Sequence, residues 1–434
     1  MLIYTHRITN RLEYIFKQVF TEMLGVSYTL TTDEEAFTSS ELPKISYAYN
    51  PVGDELFFQA KNLLFETGIN EQNISVVDWE NTKAFFSTGK KSVFAFDAFA
   101  ASFFLMSRYE ECLPHIRDKY DRFEAKESIA YQHGFLKKPV INIWVKKIKE
   151  LLKEKYPQLQ FKENKYTYLS TLDIDNAYAY KRKGFLRTIG AFGKDISSFN
   201  SSQLKERLKV LLGLAQDPYD TYDFQFSLHE KYHLRPVYFF LLGDYDVNDK
   251  NVPHHNRKFQ SLIKSIADRA DVGIHPSFNS NKNQEKIETE IDRLSEIIHR
   301  EITKSRQHFL VLHFPKTFRN LIDLDITDEY SMGYAQETGF RAGICTPFNY
   351  YDLDLETETK LKIHPFTVMD ATLKYYMKLD PEEAIKHIRE MVDEVKDVDG
   401  TFISLWHNET LSEKDQWEGW RKVYEETVKA ATTA

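Results

Sequence analysis

Thr171-Leu172-Asp173-Ile174-Asp175-Asn176 ends a run, Tyr166 to Asp173, that is rich in β-branched and aromatic residues. Such a run reads as a strand. Two carboxylates two residues apart sit where the chain leaves the sheet, so both can converge on one site. Metal-assisted hydrolysis uses such a pair: one carboxylate ligates the cation while the other takes a proton from the bound water. The same residues also read as a helix N-cap and turn, where Asp and Asn are favoured.

Working outward toward the C-terminus, strands and helices alternate. Pro236 to Leu242 is a nearly continuous apolar run, as a doubly covered parallel strand requires. Asn256 to Ala270 reads as a helix leading into the short strand Asp271 to Ile274. Gln284 to Lys304 reads as a long amphipathic helix, with Ile287, Ile291, Leu294, Ile297 and Ile298 on one side. His308 to Leu312 follows as a strand, Pro381 to Val395 as a helix and Thr401 to Trp406 as a strand. This alternation predicts an α/β fold, a (β/α) barrel or an open sheet, with chemistry at the carboxyl ends of strands.

Two more polar groups fall at such ends. His275 lies in Gly273-Ile274-His275-Pro276-Ser277-Phe278-Asn279, and His407 in Ser404-Leu405-Trp406-His407-Asn408-Glu409. An imidazole there suits a borderline metal. Taken singly, each also reads as structural, a histidine bonded to a loop or packed beside Trp406. Three polar groups at three strand ends fit one shared site better than three separate accidents.

Toward the N-terminus, the charged helix Trp144 to Lys155 ends near Tyr156-Pro157. Lys155 to Lys165 is therefore the candidate boundary between residues 1–160 and 161–434. Before it, Ile8 to Leu24 and Phe99 to Glu111 read as helices, and Lys44 to Tyr49 and Ser92 to Phe96 as strands. They make a smaller α/β domain of unknown role, with no catalytic constellation.

Composition narrows the classes. Apolar residues are 42% of 434, enough for a sizeable core. The net charge is −8 without a basic block, which argues against a nucleic-acid footprint. Met1 to Arg7 is too short and polar for a signal-peptide core, and no run approaches the roughly 20 apolar residues of a membrane span. The expected location is the cytoplasm. Cys112 and Cys345 have neither disulfide nor metal spacing. Among 32 Phe, 25 Tyr and 5 Trp, most belong to the core and a few are candidates for stacking on a sugar.

The order of these motifs resembles the polysaccharide deacetylase family, also called the NodB-homology fold or carbohydrate esterase family 4. The resemblance covers about Tyr166 to Leu411. Thr-Leu-Asp173-Ile-Asp175 resembles the family's acidic first-strand motif, and His275-Pro-Ser-Phe-Asn279 partly resembles its His-Ser/Thr-x-x-His. Arg306-Gln307-His308 stands where the family has Arg-x-Pro, and Leu405-Trp406-His407 resembles its Leu-x-His. The segments Asp97 to Phe103 and Gly339 to Gly343 are similar to a two-domain group of Bacteroidetes, in which an uncharacterised N-terminal domain precedes the barrel.

The resemblance implies a distorted (β/α) barrel and a divalent cation, zinc above all, held by Asp175 and His275. Asn279 stands where the family has its second metal histidine, and His308 is the candidate to complete the set from the next strand. The implied catalytic roles are Asp173 as base, Arg306 as the partner that keeps it ionised, and His407 as the acid. Trp406, Tyr178 and Arg341 are candidate substrate contacts, although Arg341 also reads as a salt-bridged core residue. Asp328 and Glu329 are candidates for a carboxylate behind His407. The expected activity is removal of acetyl groups from a saccharide. The alternatives are a degenerate barrel that only binds sugar or a partner, and a metal-dependent amidohydrolase acting on a small non-sugar amide.

Overall fold

The computed structural model describes residues 1–183 and 201–433. Two parallel-type sheets organise them. In the first, β1 (Leu2–Thr5), β2 (Thr29–Thr31), β3 (Lys44–Ala48) and β4 (Leu56–Gln59) run in the order β2-β1-β3-β4, all pairs parallel. A two-stranded antiparallel hairpin follows, β5 (Val77–Trp79) and β6 (Thr82–Ala84). The helices Asn10–Phe16, Ala98–Met106 and Val140–Lys155 accompany this sheet. Every residue of Ala98–Met106 is buried, so this helix is wrapped on all sides.

The second sheet has nine strands. They are β7 (Thr167–Ile174), β8 (Val237–Phe240), β9 (Asp271–Ile274), β10 (Lys304–Ser305), β11 (Asp328–Glu329), β12 (Phe348–Asp352), β13 (Thr357–Ile363), β14 (Val368–Met369) and β15 (Thr401–His407). Their order is β12-β13-β11-β10-β9-β8-β7-β15-β14, and only β12 is antiparallel to its neighbour. Among the described residues the ladder is open, with β12 and β14 at its edges. All four residues of β8, Val-Tyr-Phe-Phe, are buried, as expected of a strand covered on both faces.

Helices cover the sheet through single apolar faces. Asn256 caps Arg257–Ala267 by accepting from the amides of Lys258 and Phe259, and the helix buries Phe259, Ile263, Ile266 and Ala267. Asp380 and Glu383 form a capping box with Pro381 at the start of Pro381–Lys396, which buries Ile385, Ile388, Val392 and Val395. One continuous buried cluster runs from Ile3 to Ala431, so both sheets share a core. No helix among the described residues is long and apolar enough to cross a membrane.

Several elements depart from the sequence reading. The Ile8–Leu24 helix is α-helical only over Asn10–Phe16 and continues as a π-helix over Lys17–Met23. Gln284 begins a helix as expected, but it ends at Ile298 because His299 turns left-handed at φ 55°. Ser92–Phe96 is bends with one isolated bridge, Ser87 to Phe96, and no strand. His308–Leu310 is a 3-10 turn; the strand there is β10, just before it.

Candidate active site

Strand register brings the polar groups together. Asp173 pairs with His407 across β7 and β15, and with Phe239 across β7 and β8. Ile274, the last residue of β9, pairs with Phe240 on β8 and Ser305 on β10, so His275 and Arg306 leave adjacent strands side by side. Gly273 is needed for this stacking, because a Cβ there would lie 2.7 Å from the Phe239 ring. That ring supports the Arg306 guanidinium, 4.8 Å from its centroid, with Phe366 at 5.6 Å.

Asp175 is the hub. Its Oδ1 lies 3.2 Å from His275 Nε2, and its Oδ2 lies 3.4 Å from His308 Nε2 and 3.8 Å from His407 Nε2. The other nitrogens are committed elsewhere: His275 Nδ1 is 2.5 Å from the Arg306 carbonyl, and His308 Nδ1 is 2.8 Å from Asp249 Oδ1. Both partners are acceptors, so each Nδ1 carries a proton and each ring turns its Nε2 toward Asp175. Asp175 Oδ1 is buried with no hydrogen-bond partner. Ligand atoms of Asp175, His275 and His308 all lie within 4.8 Å of one another. Together they form a set of ligand atoms that could hold a metal ion. The donor set, two imidazoles and a carboxylate, suits zinc with an open position.

Burial would lower the His308 pKa, but Asp175 and Asp249 push it up to about 9. Burial would raise that of Asp175, yet His308, His275 and His407 hold it well below the usual carboxylate range.

Beside this cluster, Asp173 is buried with Oδ1 3.4 Å from Arg306 Nη1 and Oδ2 3.7 Å from His275 Nε2. His407 Nδ1 lies 2.8 Å from Asp370 Oδ1, and Asp370 Oδ2 accepts from the His407 amide and the Thr410 hydroxyl. Burial works against a charged His407, but Asp370, Asp175 and Asp173 raise its pKa well above the ordinary value. An imidazolium bonded to Asp370 through Nδ1 leaves its Nε2 proton free for the site. Asp173, Asp175, His275, His308 and His407 border a cavity of about 240 Å³, together with Leu310, Met369, Leu405, Tyr375, Tyr376 and Glu409. Burial first, then Asp175 and Asp370, raise the Glu409 pKa to about 7.

Other expected site residues lie elsewhere. Asn279 is exposed, and its amide donates to Asp246 instead of joining the cluster. Trp406 is fully buried on the opposite side of β15, with its ring 4.9 Å from that of Tyr424. Arg341 is buried in a two-pronged pair with Glu111, at 2.5 and 2.9 Å. Tyr178 packs edge-on to Tyr222 at 6.4 Å. None of the four borders the cavity. Asp328 pairs with His364 and Glu329 with Ser331, so neither backs His407. Asp370, Asp249 and Glu409 were missed. Asp370 follows a strand of two residues and Asp249 lies in a loop, so neither carries a periodic signal; Glu409 stands two residues after His407 and was within reach.

Comparisons with known proteins find one family model and several similar solved structures. Residues 1–157 match the model of a family of unknown function, DUF7033. No curated protein matches the chain. Among solved structures, a Mycobacterium smegmatis protein assigned to the polysaccharide deacetylases is similar at 12% identity and TM-score 0.40, over 62% of this chain and 85% of that one. A polysaccharide deacetylase from Bacillus cereus is similar at 10% identity and TM-score 0.30, over 61% and 86%. A CE4-family pseudoenzyme from Bacillus anthracis is similar at 11% identity and TM-score 0.30, over 60% of each chain. Scores this low decide nothing about chemistry, which rests on the site's own geometry.

Proposed function

We propose that the chain is a metal-dependent carbohydrate deacetylase, hydrolysing the C–N amide of an N-acetyl group or, with the same machinery, an O-acetyl ester. The observation that carries this reading is the convergence of Asp175, His275 and His308 on one point beside a carboxylate–guanidinium pair and an imidazolium. We read the nine-stranded sheet as a NodB-type barrel left open between its edge strands, β12 and β14. Its order supports this: with the antiparallel edge strand β12 set aside, the sheet read from β7 to β11 and β13, then across the gap to β14 and β15 beside β7, follows the chain. On this reading residues 161–434 are the catalytic part and residues 1–160 a distinct preceding part.

A zinc-type ion held by Asp175, His275 and His308 would polarise the acyl carbonyl and acidify a water. Asp173 takes the proton of the attacking water. Arg306, 3.4 Å from its Oδ1, holds that carboxylate in place for the task. His407 gives its Nε2 proton to the departing nitrogen or oxygen while Asp370 holds the ring and stabilises its charge. Leu310, Met369 and Leu405 offer the acyl methyl an apolar wall and exclude water from it.

The test begins with metal analysis of the full chain after incubation with zinc, cobalt or nickel, expecting one ion per chain. Acetate release from N-acetylated and O-acetylated saccharides then distinguishes the two bonds. A chain that holds no cation and releases no acetate ends the enzymatic reading; turnover of small non-sugar amides alone would move the substrate class.

A further inference from the structure

The residues that match the family of unknown function reach the cavity at one place, the loop 117–123. It is pinched by the bridge between Arg117 and Phe123 and organised by Asp118, whose Oδ1 accepts from the amides of Tyr120 and Arg122. Two of its side chains extend onto the turn that carries His308. The Tyr120 ring lies 5.0 Å from that of Phe309. Arg122, 6% exposed, donates through Nη1 to the Phe309 carbonyl at 3.1 Å and through Nη2 to the Tyr376 hydroxyl at 3.2 Å. Its Nε donates to Asp118 Oδ2 at 2.8 Å, which aims the guanidinium. Asp121 adds contacts to Lys282 at 2.9 Å and His313 at 3.2 Å.

The turn needs such a hold. Phe309 and Leu310 both have positive φ, 60° and 57°. Successive side-chain-bearing residues in the left-handed region persist only where their surroundings over-determine them. They directly follow His308, whose own tethers are the Pro276 carbonyl at 3.1 Å and Asp249. If the turn relaxed, the Phe309 carbonyl would leave Arg122 and the backbone beyond His308 would reorient.

We infer that the loop 117–123 is a positioning element for the cation site, with Arg122 acting on His308 through the Phe309 carbonyl. This rests on the proposed site at Asp175, His275 and His308, and it gives the N-terminal region a role: it braces the ligand that the β9 motif does not supply. Arg122 also borders the cavity beside Phe309 and Tyr376, so the same residue completes a wall of it.

The experiment compares zinc affinity, by chelator competition, and the cobalt absorption spectrum of the full-length chain with those of Arg122→Ala and Tyr120→Ala. Removing a partner that orients a metal ligand weakens metal binding by about 10–100-fold. That loss is expected for Arg122→Ala, together with a changed cobalt spectrum. Tyr120→Ala is expected to give a smaller loss of the same kind, and it carries the test if Arg122→Ala does not fold. A lower urea midpoint for the metal-free variants, with zinc affinity and cobalt spectrum unchanged, would mean a merely structural clamp and would overturn the inference while leaving the proposed site standing. A wild-type chain that binds no cation would instead overturn the site itself, and the inference with it.

Discussion

His6 and His275 occupy equivalent places: each directly follows the last residue of a parallel strand, β1 in one sheet and β9 in the other. Their surroundings differ. The His6 ring packs tilted against Tyr49 at 4.3 Å and Phe65 at 4.1 Å, and burial, then Arg7, lower its pKa. His275 stands between two carboxylates and a carbonyl. The four strands of the first sheet end in Thr5, Thr31, Ala48 and Gln59, whereas around the second sheet Asp173, His275, Arg306, Asp370 and His407 lie within one residue of strand ends. Position at a strand end therefore does not make a site. Adjacent strands must deliver complementary groups to the same spot.

The comparison breaks most sharply at Asp173. Asp173→Asn should lower acetate release by about 10²–10⁴-fold, the range for a positioned acid or base, while one cation per chain remains. Retained activity would remove Asp173 from the base role. The first sheet should answer oppositely. Phe99 is buried among Phe16 at 4.7 Å, Phe58 at 5.3 Å and Tyr47 at 5.4 Å. Phe99→Ala should cost about 3–5 kcal/mol of stability, read as a lower urea midpoint, with cation stoichiometry unchanged. Loss of the cation from a still-folded variant would contradict this separation.

A finer effect concerns pH. Because the His407 pKa is raised in the folded chain, its pairing contributes stability that is complete below the ordinary imidazole pKa and is lost as pH rises through the raised one. The acid form that the proposed reaction uses persists over the same window. Asp370→Asn removes the carboxylate nearest the ring, so the descending limb of kcat/KM should move to lower pH. A limb that stays put would show that another group sets it. Smallest of all, Arg389→Ala deletes an exposed pair with Glu426 and should shift stability by under about 1 kcal/mol; a larger loss in the urea midpoint would mean that this surface carries a function.

Several elements were legible in the sequence, and the two-residue strands were not. Asp271–Ile274 is the strand expected, Thr401–His407 extends its expected run by one residue, and Tyr166–Asp173 is shifted by one. β10, β11 and β14 have two residues each, too few for any periodicity, and this hid Asp370 and placed His308 on a strand. The convergence of Asp173, Asp175, His275 and His407 followed from strand ends alone. His308 could be proposed only as a rescue for Asn279, because its approach depends on a left-handed turn with no sequence signature. The error at Trp406 was avoidable: side chains alternate along a strand, so the residue between the cavity-facing Leu405 and His407 had to face the other way.

The Arg341–Glu111 pair sets a limit on how this protein can be divided. Glu111 also accepts from Arg108 at 2.7 Å, and all three side chains are buried. Truncation at residue 160 would take Glu111 from Arg341 and expose to water the apolar core that both sheets share. A catalytic fragment trimmed for convenience would therefore tend to precipitate, and its silence in an assay would report on the cut, not on the chemistry.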